Sequence, residues 1–281
     1  MDSKELPIEL LIAIPAYNEE KEIPQLLGLL KPWKKDVVVI DDGSTDQTAK
    51  CVIEHGFHCI SLGSNQGLGS VYSTVKRYAV EKGYTHILAI DADGQHDTVH
   101  IPEFAEKLKQ FDLVCGNRFH MTSKLSERKI ASNLFAILLF KEFLNIKLPD
   151  AACGFMAMKL DVIPDDSSIS RFEIIYELRA RHALSGKECG FVPIAAIYHP
   201  DDPLNTDILE IRGLIKTVSR YHSSKDLISI MESINNGSDF SITISGFRFE
   251  AKFNGSDAYH FSTDIQRARD YFTSINSLNN K

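Results

Sequence analysis

The chain has no long lysine- and arginine-rich run, no C-x-x-C pair and no extended apolar stretch, and each shortage closes off a class of protein. Its five cysteines, Cys51, Cys59, Cys115, Cys153 and Cys189, are odd in number and scattered. That pattern excludes a disulfide frame or a zinc knuckle and predicts reduced thiols in a cytoplasmic protein. The longest apolar run, "LFAILLF" from Leu134 to Phe140, falls far short of the ~20 residues that a membrane-spanning helix needs. The opening "MDSKELPIE" carries no apolar signal region. A formal net charge of -7 over 281 residues speaks against nucleic acid as a partner. A phosphate loop is missing too. The Gly-rich "SNQGLGS" (64–70) has no Gly-Lys-Ser/Thr, and it lacks the third glycine of a dinucleotide fingerprint.

What is present is an alternation. Apolar runs at 9–15, 36–44, 58–62, 85–91 and 112–116 read as strands, with helical patterns between them. Runs that are apolar on both faces belong in a mostly parallel sheet covered by helices on both sides, a doubly wound α/β fold. One helix is expected over about Gly69 to Lys82, stopped by Gly83. Ser44 or Thr45 is placed to cap another near Asp46. The second half is less regular: helices near 128–145, 172–184 and 206–221, and strands at 154–159 and 191–199. The expected division is a domain over 1–221 and a small C-terminal α+β module over 222–281. That module reads as a helix, a hairpin at 240–253 around Ser-Gly and an amphipathic helix carrying Ile265, Ala268, Phe272 and Ile275.

Ligands of doubly wound sheets bind beyond the carboxyl ends of the strands, and three acidic motifs fall there: "IPAYNEE", "VVVIDDGSTD" and "ILAIDADGQHD". Asp91 and Asp93, two apart on an emerging strand, point the same way. Adjacent carboxylates raise each other's pKa, a cost that Mg²⁺ or Mn²⁺ relieves, and Gln95 adds a neutral oxygen on the same side. A solvated acidic loop, with Asp97 capping the next helix, accounts for the spacing as well. Asp42 suits a base or ribose acceptor, or only a turn. Pro15, Tyr17 and Glu19 make either a nucleobase cradle or a plain loop. Gly67 and Gly69 permit close backbone approach or merely shape a turn. His96 and His120 read as solvated loop histidines. The "LFAILLF" helix is either core or a membrane-surface helix with Lys124, Arg128 and Lys129 facing anionic head groups.

Taken together, "IPAYNEE", "VVVIDDGSTDQT", "NQGLGSV" and "ILAIDADGQHD" resemble the family 2 glycosyltransferases of GT-A fold, in particular the polyprenyl-phosphate (dolichyl-phosphate) sugar transferases. "GNRF" and "DAACGF" resemble two further segments of that family. The resemblance spans about residues 8–220. It implies an inverting, metal-dependent hexosyltransferase using a GDP- or UDP-sugar, with a polyprenyl phosphate as one candidate acceptor. Pro15, Ala16, Tyr17, Glu19, Asp42, Gly67, Asp91, Ala92 and Asp93 would line the nucleotide-sugar site. Asp91, Asp93 and Gln95 would ligate Mg²⁺ or Mn²⁺, and Arg118 would meet the phosphates. A phosphate acceptor needs no general base, whereas a hydroxyl acceptor does. Asp150 is the better candidate for that base and Glu173, expected on a helix surface, the poorer. Two positions depart from the family: Met156 stands where arginine often follows Gly-Phe, and "YHPDDPLN" replaces a region that is often basic. Both remove positive charge from an acceptor-phosphate site. A sugar nucleotidyltransferase is disfavoured because "PAYNEEKEIP" contains no glycine. A degenerate GT-A protein that only binds a nucleotide sugar or a protein partner is the alternative. The resemblance places the chain in the cytoplasm, with peripheral contact at the inner face of a membrane for a lipid acceptor.

Overall fold

The structure, a computed structural model, describes residues 8–120, 127–165, 169, 172–197, 206–222, 240–245, 248–253 and 259–261. Contacts divide the chain into two units, Met1–Lys124 with Cys153–Asp202 and Leu125–Ala152 with Pro203–Lys281. The expected boundary at 221/222 falls inside the second.

The first unit is built on a seven-stranded sheet of order β3-β2-β1-β4-β6-β5-β7. The strands are β1 (Leu10–Ala16), β2 (Val37–Asp41), β3 (His58–Ser61), β4 (His86–Ala89), β5 (Leu113–Asn117), β6 (Met156–Lys159) and β7 (Gly190–Pro193). All neighbours pair in parallel except β6, which runs antiparallel to both β4 and β5. Strand residues alternate between faces, so β1 sends Leu10, Ile12 and Ile14 into one apolar layer and Leu11 and Ala13 into the other. The first layer is completed by α1 (Ile23–Leu30), α2 (Thr48–Glu54) and α4 (Ile101–Lys107), through Leu27, Val52 and Phe104. The second is completed by α3 (Leu68–Lys82) and α6 (Glu173–Leu184), through Val71, Val75, Ile174 and Leu178. This is the doubly wound, mostly parallel GT-A plan.

Local chemistry sets the element ends. Gly83 takes the left-handed conformation (φ 81°) and its N–H closes α3 on Ala79 and Val80. α2 begins at Thr48, two residues later than expected, because Asp46 rather than Ser44 or Thr45 accepts the Thr48 N–H at 2.9 Å. β7 is shorter than the apolar run 191–199 suggests: its partner β5 ends at Asn117, opposite Pro193.

In the second unit α5 (Glu127–Leu144) packs against α7 (Thr206–Tyr221). Leu134, Phe135, Ala136, Ile137, Leu139 and Phe140 are buried, which favours the core reading of "LFAILLF". Among the described residues no helix is long and apolar enough to cross a membrane. β8 (Phe240–Ser245) and β9 (Arg248–Phe253) form the expected hairpin, and β10 (Tyr259–Phe261), not foreseen, pairs with β9. The two helices expected in the C-terminal module lie outside the described residues.

Candidate active site

The carboxyl edge of β1, β2 and β4 is where the acidic motifs gather. The exits of β1 and β2 are stitched together first. Asp42 N–H donates to the Ala16 carbonyl at 2.8 Å, and Asn18 N–H to Ser44 Oγ at 2.9 Å. Asn18 takes φ 58°, and its own Oδ1 accepts the Thr45 N–H at 2.8 Å. Glu19 N–H is held by Thr48 Oγ1 at 2.8 Å. This leaves Tyr17 exposed at the rim, between buried Ala16 and half-buried Glu19.

Asp41 and Asp42 are nearly buried and both are engaged by the protein itself. Asp41 accepts from Ser44 N–H at 3.0 Å and from the Ser61 hydroxyl at 2.8 Å. Asp42 accepts from the N–H groups of Gln66 and Gly67 at 2.7 and 2.8 Å. The carboxylate expected to meet a base or ribose therefore anchors the "NQG" loop. Gly43, in the loop that leaves β2, has no room for a side chain. Its φ is 75°, and an added Cβ would fall 2.3 Å from the Ser64 backbone.

Beyond β4 lie Asp91, Ala92, Asp93 and Gln95. Ala92 is buried, and Asp93 Oδ1 accepts the Gln95 N–H at 2.9 Å, a turn that Gly94 permits with φ 76°. The Asp91 side chain keeps 41% of its surface open. The protein around it nevertheless strips enough water to push its carboxyl up to about 6, with the charge of Arg118 opposing the rise. Glu19 is pushed up to about 7, first by loss of hydration and then by Asp93, Glu22, Asp91 and Asp46. Glu19, Asp91 and Asp93 thus share one field, delivered by the paired strands β1 and β4. Arg118 follows β5 in a short 3-10 turn. Asp97 accepts the Val99 N–H at 3.0 Å, the expected cap.

The stretch before β6 reaches the same edge. An added Cβ on Gly154 would lie 2.7 Å from Asp91 Oδ2, so a side chain here would displace that carboxylate. Arg179, fully buried on α6, donates to the Cys153 carbonyl at 2.6 Å and to the Ile175 carbonyl at 2.8 Å. It holds the segment from behind. Met156 is wholly buried in β6, paired with Ala89 and Cys115.

Two expectations are corrected. Glu173, read as a surface acid, is 3% exposed in the first turn of α6. His96, read as a solvated loop residue, is 7% exposed and stacks on Phe155 with ring centres 4.9 Å apart. Histidine alone in a polar loop gives no sign of this, because its partner is distant in the sequence. Asp150 belongs to the second unit. There it is fully buried and accepts from Asn133 Nδ2 at 2.7 Å and from Ala152 N–H at 3.1 Å, while Asn133 Oδ1 accepts the Ala151 N–H. His120's side chain lies outside the described residues, as does the "HPDDPLN" segment.

A family model, Glycosyl transferase family 2, matches residues 11–165, more than half of the chain. The chain belongs to glycosyl transferase family 2. Among curated family relatives, an undecaprenyl-phosphate mannosyltransferase of Micrococcus luteus is 28% identical over 208 residues, covering 68% of this chain and 84% of its own. A dolichyl-phosphate beta-glucosyltransferase of Mus musculus is 26% identical over 254 residues, covering 79% and 74%. Among solved structures, glucosyl-3-phosphoglycerate synthase from Mycobacterium tuberculosis shares the fold with a TM-score of 0.60 at 14% identity, covering 92% of this chain and 91% of that one. That crystal contained Mn²⁺, uridine diphosphate and glucosyl-3-phosphoglycerate.

Proposed function

We propose that this family 2 glycosyltransferase moves a sugar, with inversion, from a GDP- or UDP-sugar to an acceptor phosphate of polyprenyl type, in a reaction that needs Mg²⁺ or Mn²⁺. The observation that carries the reading is the convergence of Glu19, Asp91 and Asp93 at the exits of two adjacent strands. There burial and mutual repulsion raise Glu19 to about 7 and burial raises Asp91 to about 6. Such a set fits a divalent cation, whose charge offsets that repulsion. Among the described residues no three His, Cys, Asp or Glu side chains form a ready cage. The donor set is Asp91, Asp93 and the Gln95 oxygen, and the diphosphate of the donor completes it, the usual arrangement for Mg²⁺.

When bound, the cation neutralises charge on the departing nucleoside diphosphate. The chain's own residues do the rest. Tyr17 offers a face to the base, and Pro15 and Ala16 hold the backbone beneath it. Asp42, by gripping Gln66 and Gly67, shapes the loop facing the nucleotide. Arg118 offers a positive charge to the phosphates. A phosphate acceptor is already ionised, so its oxygen attacks the anomeric carbon without a general base. A hydroxyl acceptor needs such a base, and Asp150, the residue expected for it, is fully buried in the second unit on Asn133 and Ala152. The relatives named for undecaprenyl and dolichyl phosphate support the lipid acceptor, and peripheral attachment at the cytoplasmic face of a membrane follows from it. Met156, apolar and buried, favours a second reading, a GT-A protein that binds nucleotide sugars without turnover.

A thermal-shift screen of nucleotides and nucleotide sugars with Mn²⁺ finds the donor, since a ligand of the native state raises apparent stability. Transfer assays with polyprenyl phosphate and with hydroxyl acceptors follow. Transfer to the lipid phosphate is expected. Binding without turnover on any acceptor establishes the second reading, and transfer only to hydroxyl acceptors calls for a general base and overturns the lipid-phosphate acceptor.

A further inference from the structure

His96 is tied to Asp91 at two points. Its Nδ1 lies 3.1 Å from the Asp91 backbone nitrogen and accepts that N–H. A neutral ring that accepts at Nδ1 carries its proton on Nε2, and Nε2 stands 3.6 Å from Asp91 Oδ2. That is longer than a hydrogen bond, and because Nδ1 faces the same residue's amide the Nε2–H bond runs past the carboxylate, not at it; the positive Cε1–Nε2 edge of the ring lies beside Asp91 Oδ2, where little water screens such a dipole. The ring is fixed from the other side. It stacks on Phe155 at an interplanar angle of 17°, and Phe155, wholly buried, packs on Phe104 with centroids 4.3 Å apart. Gly94, with φ 76°, folds the chain so that residue 96 returns to residue 91. Asp91 Oδ2 therefore sits between the His96 ring and the bare Cα of Gly154.

We propose that His96 is a positioning residue. Its ring, clamped by Phe155, fixes the backbone and the carboxylate of Asp91 in the orientation that receives the divalent cation. The proposal rests on the metal reading above. Metal ligands held by a second layer of partners typically lose about 10–100-fold in metal affinity when that partner is removed. A histidine that merely fills the core would instead change stability and leave metal affinity alone.

The test measures Mn²⁺ affinity of the full-length protein, by electron paramagnetic resonance or calorimetry, with and without UDP, alongside the metal-free Tm. His96→Asn keeps an acceptor near the Nδ1 position but has nothing at Nε2. His96→Gln brings an N–H toward the Nε2 position. The expected result for His96→Asn is Mn²⁺ binding weakened by about 10-fold or more with the metal-free Tm little changed, and recovery of most of that affinity in His96→Gln. If His96→Asn does not fold, Phe155→Leu, which loosens the clamp without touching the imidazole, is expected to weaken Mn²⁺ binding in the same direction. Parent affinity in His96→Asn, or in Phe155→Leu where it stands in, overturns the proposal alone. A parent protein that binds no Mn²⁺ with or without UDP overturns the metal reading and the proposal with it.

Discussion

Two aspartate pairs leave the sheet at the same edge, Asp41 with Asp42 after β2 and Asp91 with Asp93 after β4, and the protein treats them differently. At the first pair, backbone N–H groups of Ser44, Gln66 and Gly67 and the hydroxyl of Ser61 take up the carboxylate oxygens. Charge-assisted bonds of this kind are strong, and they turn two acids into knots that hold loops in place. At the second pair, Asp91 shares a field with Glu19 and Asp93, and its carboxyl is raised to about 6. The difference lies in which neighbours the fold brings up. Asp41 and Asp42 each take two such bonds from the chain around them, whereas Asp93 takes one from Gln95 N–H, and Asp91 is raised by burial beside Glu19.

Mutations can break that contrast in graded steps. The largest expected effect belongs to the second pair: Asp93→Ala should lower sugar transfer by about 10²–10³-fold or more, the scale for losing one preorganised electrostatic element. Its thermal midpoint without metal should stay close to the parent's. A calorimetric trace showing normal Mn²⁺ binding in that variant would separate Asp93 from the cation altogether. The first pair should behave in reverse. Asp42→Ala strands two amides and is expected to cost about 1–3 kcal/mol, read from urea unfolding, and donor binding should then weaken because the 64–67 loop loosens. Gly43→Ala, with positive φ and a backbone contact in the way, should cost about 1–3 kcal/mol by the same measurement. Ser61→Ala removes one bond to Asp41 and should cost about 0.5–1.5 kcal/mol. If Ser61→Ala instead lowered activity at unchanged stability, the division of labour between the pairs would fail.

The gentlest effect is a slope with pH. Glu19 and Asp91 have folded values near 7 and 6, raised from ordinary values of 4.5 and 3.8. The native state therefore binds more protons than the unfolded chain between about pH 4 and pH 7, and stability from these groups falls as pH rises through that window. Differential scanning fluorimetry across pH 5–8 should show a shallower fall in Glu19→Gln than in the parent. Mn²⁺ binding should strengthen over the same range, since its ligands must be deprotonated.

Sequence periodicity revealed the parallel strands, the stop at Gly83 and the acidic exits, because burial on both faces and left-handed glycine leave local marks. It was silent where the cause is distant. Nothing in "GFMAMK" states that β6 runs antiparallel, since alternation has no direction. The amides that occupy Asp42 come from a loop more than twenty residues away. His96 is polar and locally unremarkable until Phe155 covers it. Gly154 reads as part of a motif, yet its reason is the Asp91 oxygen beside it.

The reversed strand β6 has one more consequence. Because it runs against β4 and β5, the chain leaves the sheet at Asn117 and rejoins it at Phe155 on the same edge, where Gly116 N–H meets the Phe155 carbonyl at 2.8 Å. The excursion from 118 to 154 begins with Arg118, whose charge acts on Asp91, and ends with Gly154, which lies against the Asp91 carboxylate. Such an excursion is a cassette: it can be lengthened, shortened or exchanged without shifting the register of a single strand. The insert and the seven-stranded frame are thereby separable parts of one chain, the frame keeping its pairing whatever the insert's length.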